Sequence, residues 1–181
     1  KTTLEWIDLN LGSKKTIKKP NIHIKGKETK LQMKSIALTV HNQAHKTGAY
    51  VKDIGKKNRI AIISKSLLKG GKSIFDNTFY MAGKKGEARS ECDTFFLDQG
   101  ISETQPQLIV KNNTSTASHE AKTSFFDTQI EEYLMTKGLN REEGLKLLSI
   151  GYVEDELAYL PLDIAVEFKK LIEIEIEGGI G

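Results

Sequence analysis

Ser35-Ile36-Ala37-Leu38-Thr39-Val40, followed by Arg59-Ile60-Ala61-Ile62, Phe79-Tyr80-Met81 and Leu108-Ile109-Val110, is the pattern from which the architecture can be read. Ile36, Leu38 and Val40 fall on one side of an extended segment, and Ile60 with Ile62, Phe79 with Met81, and Leu108 with Val110 repeat the habit. Short runs of period two are strands, because successive side chains of an extended chain point to opposite faces. Ile22 and Ile24, alternating with His23 and Lys25, carry the pattern upstream, so a strand-rich region is predicted from about Thr16 to Ser118. Gly26, Gly48, Gly55, Gly70-Gly71, Gly83, Gly86, Gly100 and Asn112-Asn113 punctuate it, the residue types that turns select. Strands at this spacing without intervening helices suit a sandwich, a barrel or a β-solenoid, and periodicity does not choose among them.

The pattern changes after Phe126. Thr128 and Glu131 have the spacing of a capping box, Ile130, Tyr133 and Leu134 recur at helical intervals, and Gly138 suits a left-handed cap, predicting a helix over about 128–137. A second is predicted over about 141–150, from Asn140 with Glu143 three residues on to a stop at Gly151. The third, over about 161–177, starts near Pro161 and places Ile164, Ala165, Phe168, Leu171, Ile172 and Ile176 on one stripe before Gly178-Gly179. The alternation from Ile172 to Glu177 would also suit a strand, but it continues the helical stripe.

A chain of 181 residues has room for one core and a small appended subdomain. A net charge of +3 is too mild for a nucleic-acid binder, although the lysines crowd the N-terminal part and the carboxylates the end. The single cysteine forms no internal disulfide, so the chain reads as cytoplasmic. No apolar run approaches the roughly 20 residues of a membrane span, and no signal-peptide pattern opens the sequence. Because it begins at Lys1 in the middle of an apolar-polar pattern, the chain reads as a fragment of a longer protein.

Chemistry concentrates around that cysteine. Ser90-Glu91-Cys92-Asp93 precedes the apolar Thr94-Phe95-Phe96-Leu97, and Ser118-His119-Glu120-Ala121 follows about one solenoid rung later. A thiolate, an imidazole and a carboxylate together suit iron or zinc better than an oxygen-only metal. Taken alone, Cys92 is more often a small buried hydrophobe, His119 a satisfied or surface histidine, and Glu120 a solvated carboxylate. They meet only if the chain completes about one turn of a solenoid between them.

Two further motifs carry less. Ser66–Ser73 ends in Gly71-Lys72-Ser73 and imitates a phosphate-binding loop, but it has serine where the motif needs its first glycine and no βαβ context. His41 and His45 have metalloprotease spacing without the glutamate, in what is predicted to be a loop before Gly48.

Glu91-Cys92-Asp93, His119-Glu120-Ala121, Ser64-Lys65, Glu142-Glu143-Gly144-Leu145 and Glu177-Gly178-Gly179-Ile180-Gly181 together resemble the C-terminal part of SufB-like members of the SufB/SufD family, iron-sulfur cluster assembly scaffolds. The resemblance runs from about Gly12 to the end. It implies a mainly β fold, a right-handed parallel β-helix over residues 1–125 followed by a small helical domain over 126–181. It also implies a scaffold in place of an enzyme, with Cys92, His119 and Glu120 as candidate ligands of nascent sulfur, iron or a transient iron-sulfur cluster shared with a partner chain. One cysteine is too few for a cluster that usually takes four. The implied partners are a SufC-type ATPase on the C-terminal helices and SufD, or a second copy of this chain, on the β-helix, with no nucleic acid and no membrane. Sulfur would come from a desulfurase system.

The chain departs from the family pattern at Lys46, usually acidic, at Asp53, usually histidine, and at Phe75-Asp76-Asn77, usually Tyr-Arg-Gly. A SufD-like structural partner without its own cluster is the alternative within the family. From another class, a β-solenoid carbohydrate-active enzyme would use Glu91 and Asp93 as acid and base. It is disfavoured on the ground that neighbouring strand residues point to opposite faces.

Overall fold

The computed structural model describes residues 1–178, so the final Gly179-Ile180-Gly181 of the terminal motif lies outside the described residues. Among the described residues eleven strands precede three helices. In chain order the strands are β1 (Thr2–Asn10), β2 (Lys15–Lys18), β3 (Asn21–Ile24), β4 (Thr29–Thr47), β5 (Tyr50–Asp53), β6 (Arg59–Phe75), β7 (Thr78–Met81), β8 (Glu87–Phe96), β9 (Ile101–Thr104), β10 (Gln107–Val110) and β11 (Thr116–Phe125).

One sheet runs β1-β4-β6-β8-β11, with β2 beside the end of β4 and β9 beside the end of β6; a second runs β10-β7-β5-β3. Every strand pair is parallel. Register steps from Thr2 to Thr29, from Lys30 to Arg59, from Arg59 to Glu87 and from Glu87 to Thr116 give rungs of about 27–29 residues. Parallel pairing at a constant step is a β-solenoid, here of about four turns, and it selects that architecture from the three the periodicity allowed.

The β region begins at Thr2, upstream of the expected Thr16, because Leu4, Trp6 and Leu9 lie in register with Leu31, Met33 and Ile36 of the next rung. His41–His45 is not a loop. It is a bend within β4, where register breaks between His41 and Ala44 and His41 adopts a φ of 46°. Gly70 and Gly71 make the matching bend in β6; a Cβ on Gly71 would lie 2.4 Å from the Gln43 carbonyl oxygen, so glycine is required there. Ser66–Ser73 therefore lies inside a strand and opens no helix.

The helices are α1 (Thr128–Thr136), α2 (Arg141–Leu157) and α3 (Leu162–Ile176). Asp127, one residue before Thr128, caps α1 by accepting from the Ile130 amide at 2.9 Å, so Thr128 is helical and is not the cap. Gly138 has a φ of 86°, the left-handed conformation its type predicts. The Asn140–Glu143 capping box is present. Helix α2 does not stop at Gly151 but continues to Leu157, because Val153 and Leu157 extend its buried stripe while Gly151 faces open space. Ile172–Ile176 is helical.

The apolar material is split in two. Leu31, Met33, Ile60, Ile62 and Ala88 point into the solenoid and meet Val51, Phe79 and Met81 from the second sheet. Further along the same strands the polarity inverts. The inward positions are mostly small and polar, Ser35, Thr39, Ser64, Ser66, Ser90 and Thr94 beside Ala37 and Leu68, whereas the outward Ile36, Leu38, Val40, Leu67 and Phe95 join Leu134, Leu145, Val153, Leu157, Phe168 and Ile172 of the helices. Leu38, Leu67 and Phe95 lie in register across β4, β6 and β8, a ridge for the helical layer.

Candidate functional site

Register places the three candidate ligands on two sides of one sheet. His119 on β11 lies opposite Ser90 on β8, and Ala121 lies opposite Cys92, so Cys92 and His119 occupy adjacent inward rows of neighbouring rungs. Glu120, between His119 and Ala121, lies opposite Glu91 and points outward. The solenoid turn between Cys92 and His119 that their spacing required is thus present, but Glu120 does not share their face.

Cys92 is a free thiol, 3% exposed. Its sulfur receives a long contact from Asn77 Nδ2 at 3.6 Å and lies 3.9 Å from Ser90 Oγ. Burial pushes the thiol up to about 11, against the smaller pull of those two partners, so the neutral form dominates near pH 7. Asn77 also donates to Ser90 Oγ at 3.0 Å and accepts from the Ala49 amide at 3.0 Å, which ties the cysteine row to the second sheet. Ser64, opposite Cys92 on the other side, has a buried hydroxyl without a partner. The inward row beside the thiol is polar and incompletely paired.

His119 is half-buried and its Nδ1 is buried without a partner. Burial lowers its pKa, which keeps the imidazole neutral, the form that binds metals. Glu120 is exposed and engaged by Lys122 at 3.1 Å and Arg89 at 3.4 Å, and first Lys122, then Arg89, hold its carboxyl below the ordinary range. Among the described residues no three His, Cys, Asp or Glu side chains form a group able to hold a metal ion. Cys92 and His119 offer two donors, one soft and one borderline, and not a complete set.

The outward face also corrects the argument against a carboxylate pair. Glu91 and Asp93 are two residues apart and share that face, lining one small pocket with Lys65, Glu120 and Lys122. Glu91 is bound by Arg89 at 2.8 Å, and Asp93, after burial itself, pushes the Tyr152 phenol upward.

Lys65, next to Ser64, crosses to the helical layer. Its Nζ pairs with Glu156 at 2.7 Å and donates to the Tyr152 carbonyl at 2.7 Å. Lys69 likewise donates to the Ile176 carbonyl at 2.6 Å, at the carbonyl-rich end of α3. Both lysines fasten the helices across the strands that carry the cysteine row. Asn77 was not found from sequence as a partner of Cys92, because their proximity arises only when β7 and β8 are folded into one rung. The alternation Ser64, Ser66 and Ser90, Cys92 was the available signal for a polar inward row.

The strand edges are unequal. On β11, the last strand of its sheet, most residues are exposed, and β10 beside it exposes Leu108, Ile109 and Val110. On the helices, Tyr133, Met135, Leu147, Leu162 and Val166 are exposed, as is Tyr159 between α2 and α3, and Leu147 and Leu148 with Phe95, Gly151 and Tyr152 line an apolar groove of about 470 Å³. Among the described residues no helix is long and apolar enough to cross a membrane.

Residues 1–152 match the model of the SufBD core domain of SUF system iron-sulfur cluster assembly. An iron-sulfur cluster assembly SufBD family protein of Staphylococcus epidermidis is 38% identical over 98% of this chain, and the iron-sulfur cluster assembly protein SufB of Bacillus subtilis is 37% identical over 99% of it. The chain spans 39% of the length of each. A parallel solenoid ending in a helical layer, matched by these relatives along nearly its whole length, belongs to the SufBD family of the SUF iron-sulfur cluster assembly system.

Proposed function

We propose that this chain is part of a SufB-like scaffold that holds nascent sulfur or an iron-sulfur cluster as cargo and catalyses nothing itself. The observation that carries the reading is the placement of the only thiol and of an imidazole whose buried Nδ1 has no partner on adjacent inward rows of the last two rungs. Cys92 would take sulfur or iron, His119 would complete part of the coordination, and the remaining ligands would come from a second chain. The unpaired outer edge of β11 is where SufD or a second copy would be added, by main-chain hydrogen bonds of the kind that extend a sheet. Glu120, on the opposite side of that strand, would act toward the partner. A free thiol fits a reducing cytoplasm.

The exposed apolar side chains and groove of the helices support docking of a SufC-type ATPase there, whose hydrolysis cycle would open the shared interface. Tyr133→Asp/Leu147→Asp on the exposed helical surface, in a protein shown by circular dichroism to be folded, should abolish capture of SufC in a pull-down, and retained capture would place the contact elsewhere.

The buried, neutral state of Cys92 and the outward turn of Glu120 favour a second reading, a SufD-like structural partner without its own cluster. Anaerobic reconstitution of the full-length protein with iron and sulfide separates the two. A coloured product with cluster absorption supports the scaffold, and a colourless product that still captures SufC supports the structural partner.

A further inference from the structure

At the corner where each rung passes from the second sheet back to the first, lysines are stacked in register. Lys27 bridges Lys56, and Lys56 bridges Lys84, placing three exposed ammonium-bearing residues at successive rungs about 4.8 Å apart along the solenoid axis. The next positions are Glu28, Lys57 and Lys85, with φ of 54°, 55° and 55°. Left-handed backbone at these turns favours glycine or asparagine, yet the second and third corners carry lysine.

Beside this column a groove of about 540 Å³ is lined by Lys30, Lys57, Arg59 and Lys85 with Glu28 and Glu87. Arg59 is engaged by Glu87 at 3.5 Å, whereas no ion pair involves the lysines of the column among the described residues.

Like charges directly opposite on neighbouring strands repel, and lysine at a left-handed position is strained. Two independent costs therefore fall on the same corner, repeated from rung to rung, and packing explains neither because these side chains are exposed. An anionic partner relieves the repulsion.

We propose that this corner is a docking surface for an acidic, carboxylate-rich segment of a partner protein, distinct from the cysteine row and from the helical layer. A polypeptide is favoured over nucleic acid by two features: the groove is lined by no aromatic ring on which bases would stack, and a net charge of +3 is small for a surface that tracks a phosphate backbone. Lysine side chains, flexible point charges, suit carboxylates presented without fixed spacing.

The test is fluorescence anisotropy of full-length protein with a short labelled polyglutamate peptide, and in parallel with single-stranded DNA and with phosphatidylserine vesicles at the same salt. Lys56→Glu/Lys84→Glu should weaken peptide binding by about tenfold or more, as the loss of two attractions and the gain of two repulsions would. Lys14→Glu/Lys15→Glu, equal in charge change but outside the corner, should leave it unchanged. Lys56→Gln/Lys84→Gln, with circular dichroism of each variant, gives a milder loss in a folded protein. The proposal is overturned if the parent does not bind the peptide, if the corner and control variants weaken it equally, or if DNA or vesicles bind more tightly than the peptide in a corner-dependent way.

Discussion

The inward and outward faces of β4, β6 and β8 were built to opposite rules. Under the helical layer the outward face is apolar, with Leu38, Leu67 and Phe95 stacked in register. Behind it the inward face is small and polar, with Ser64, Ser66, Ser90, Cys92 and Thr94. A solenoid that stood alone would place its largest apolar side chains inside, as this one does around Ile60, Ile62 and Phe79. The inversion shows that the helices supply the hydrophobic closure of this stretch, which frees its interior to hold a thiol among hydroxyls and an amide.

The most direct way to break that contrast is to weaken the outward face. Leu67 and Ile172 are fully buried on its two sides, and each substitution to alanine should cost about 3 kcal/mol, read as a shift in the urea midpoint. The helices and the solenoid should unfold in one transition. A separate early transition for the helices would show that the two layers do not share a core.

The next test sharpens the role of the lysine that links the faces. Lys65→Met leaves Glu156 buried without its cation and should destabilise by about 2 kcal/mol, less than a fully buried pair because Lys65 keeps some solvent contact. Adding Glu156→Leu should recover most of the loss. Failure to recover would assign the effect of Lys65 to its hydrogen bond with the Tyr152 carbonyl.

The smallest structural effect concerns the inward face itself. With its thiol pushed up to about 11, Cys92 should react with iodoacetamide at pH 8 on the order of a hundredfold more slowly than a free thiol, and faster as pH rises. A proton held more tightly in the folded state stabilises fully below the unfolded thiol's value of about 8.5, and that contribution is lost as pH rises through about 11. Rapid alkylation at pH 8 in the folded protein would contradict the buried, neutral placement.

Much of this was legible in the residues. The period-two runs gave the strands, and the spacing of Cys92 from His119 matched one rung. Alternation groups residues by face but does not say which face is inside; Ile36, Leu38 and Val40 were correctly grouped, yet they point outward because helices far along the chain cover them. Glu120 could have been separated from His119 on sequence alone, since adjacent strand residues oppose each other.

The departures at Lys46 and Asp76 looked like two unrelated losses. The structure joins them, Lys46 Nζ lying 2.9 Å from Asp76, which Lys19 also engages at 2.5 Å. No single position could reveal that. Asn77, beside Asp76 in the same run, supplies the amide beside Cys92.

The central claim, that the inward cysteine row receives the cargo, is tested most directly by anaerobic reconstitution of full-length Cys92→Ser beside the parent, followed by visible absorption and by iron and sulfide content per chain. Serine is close to cysteine in size and can take the contacts of the Ser90 hydroxyl and the Asn77 amide, so the variant should fold. The account predicts loss of nearly all bound sulfide and cluster absorption in the variant, whereas a variant that takes up iron and sulfide as fully as the parent would contradict it.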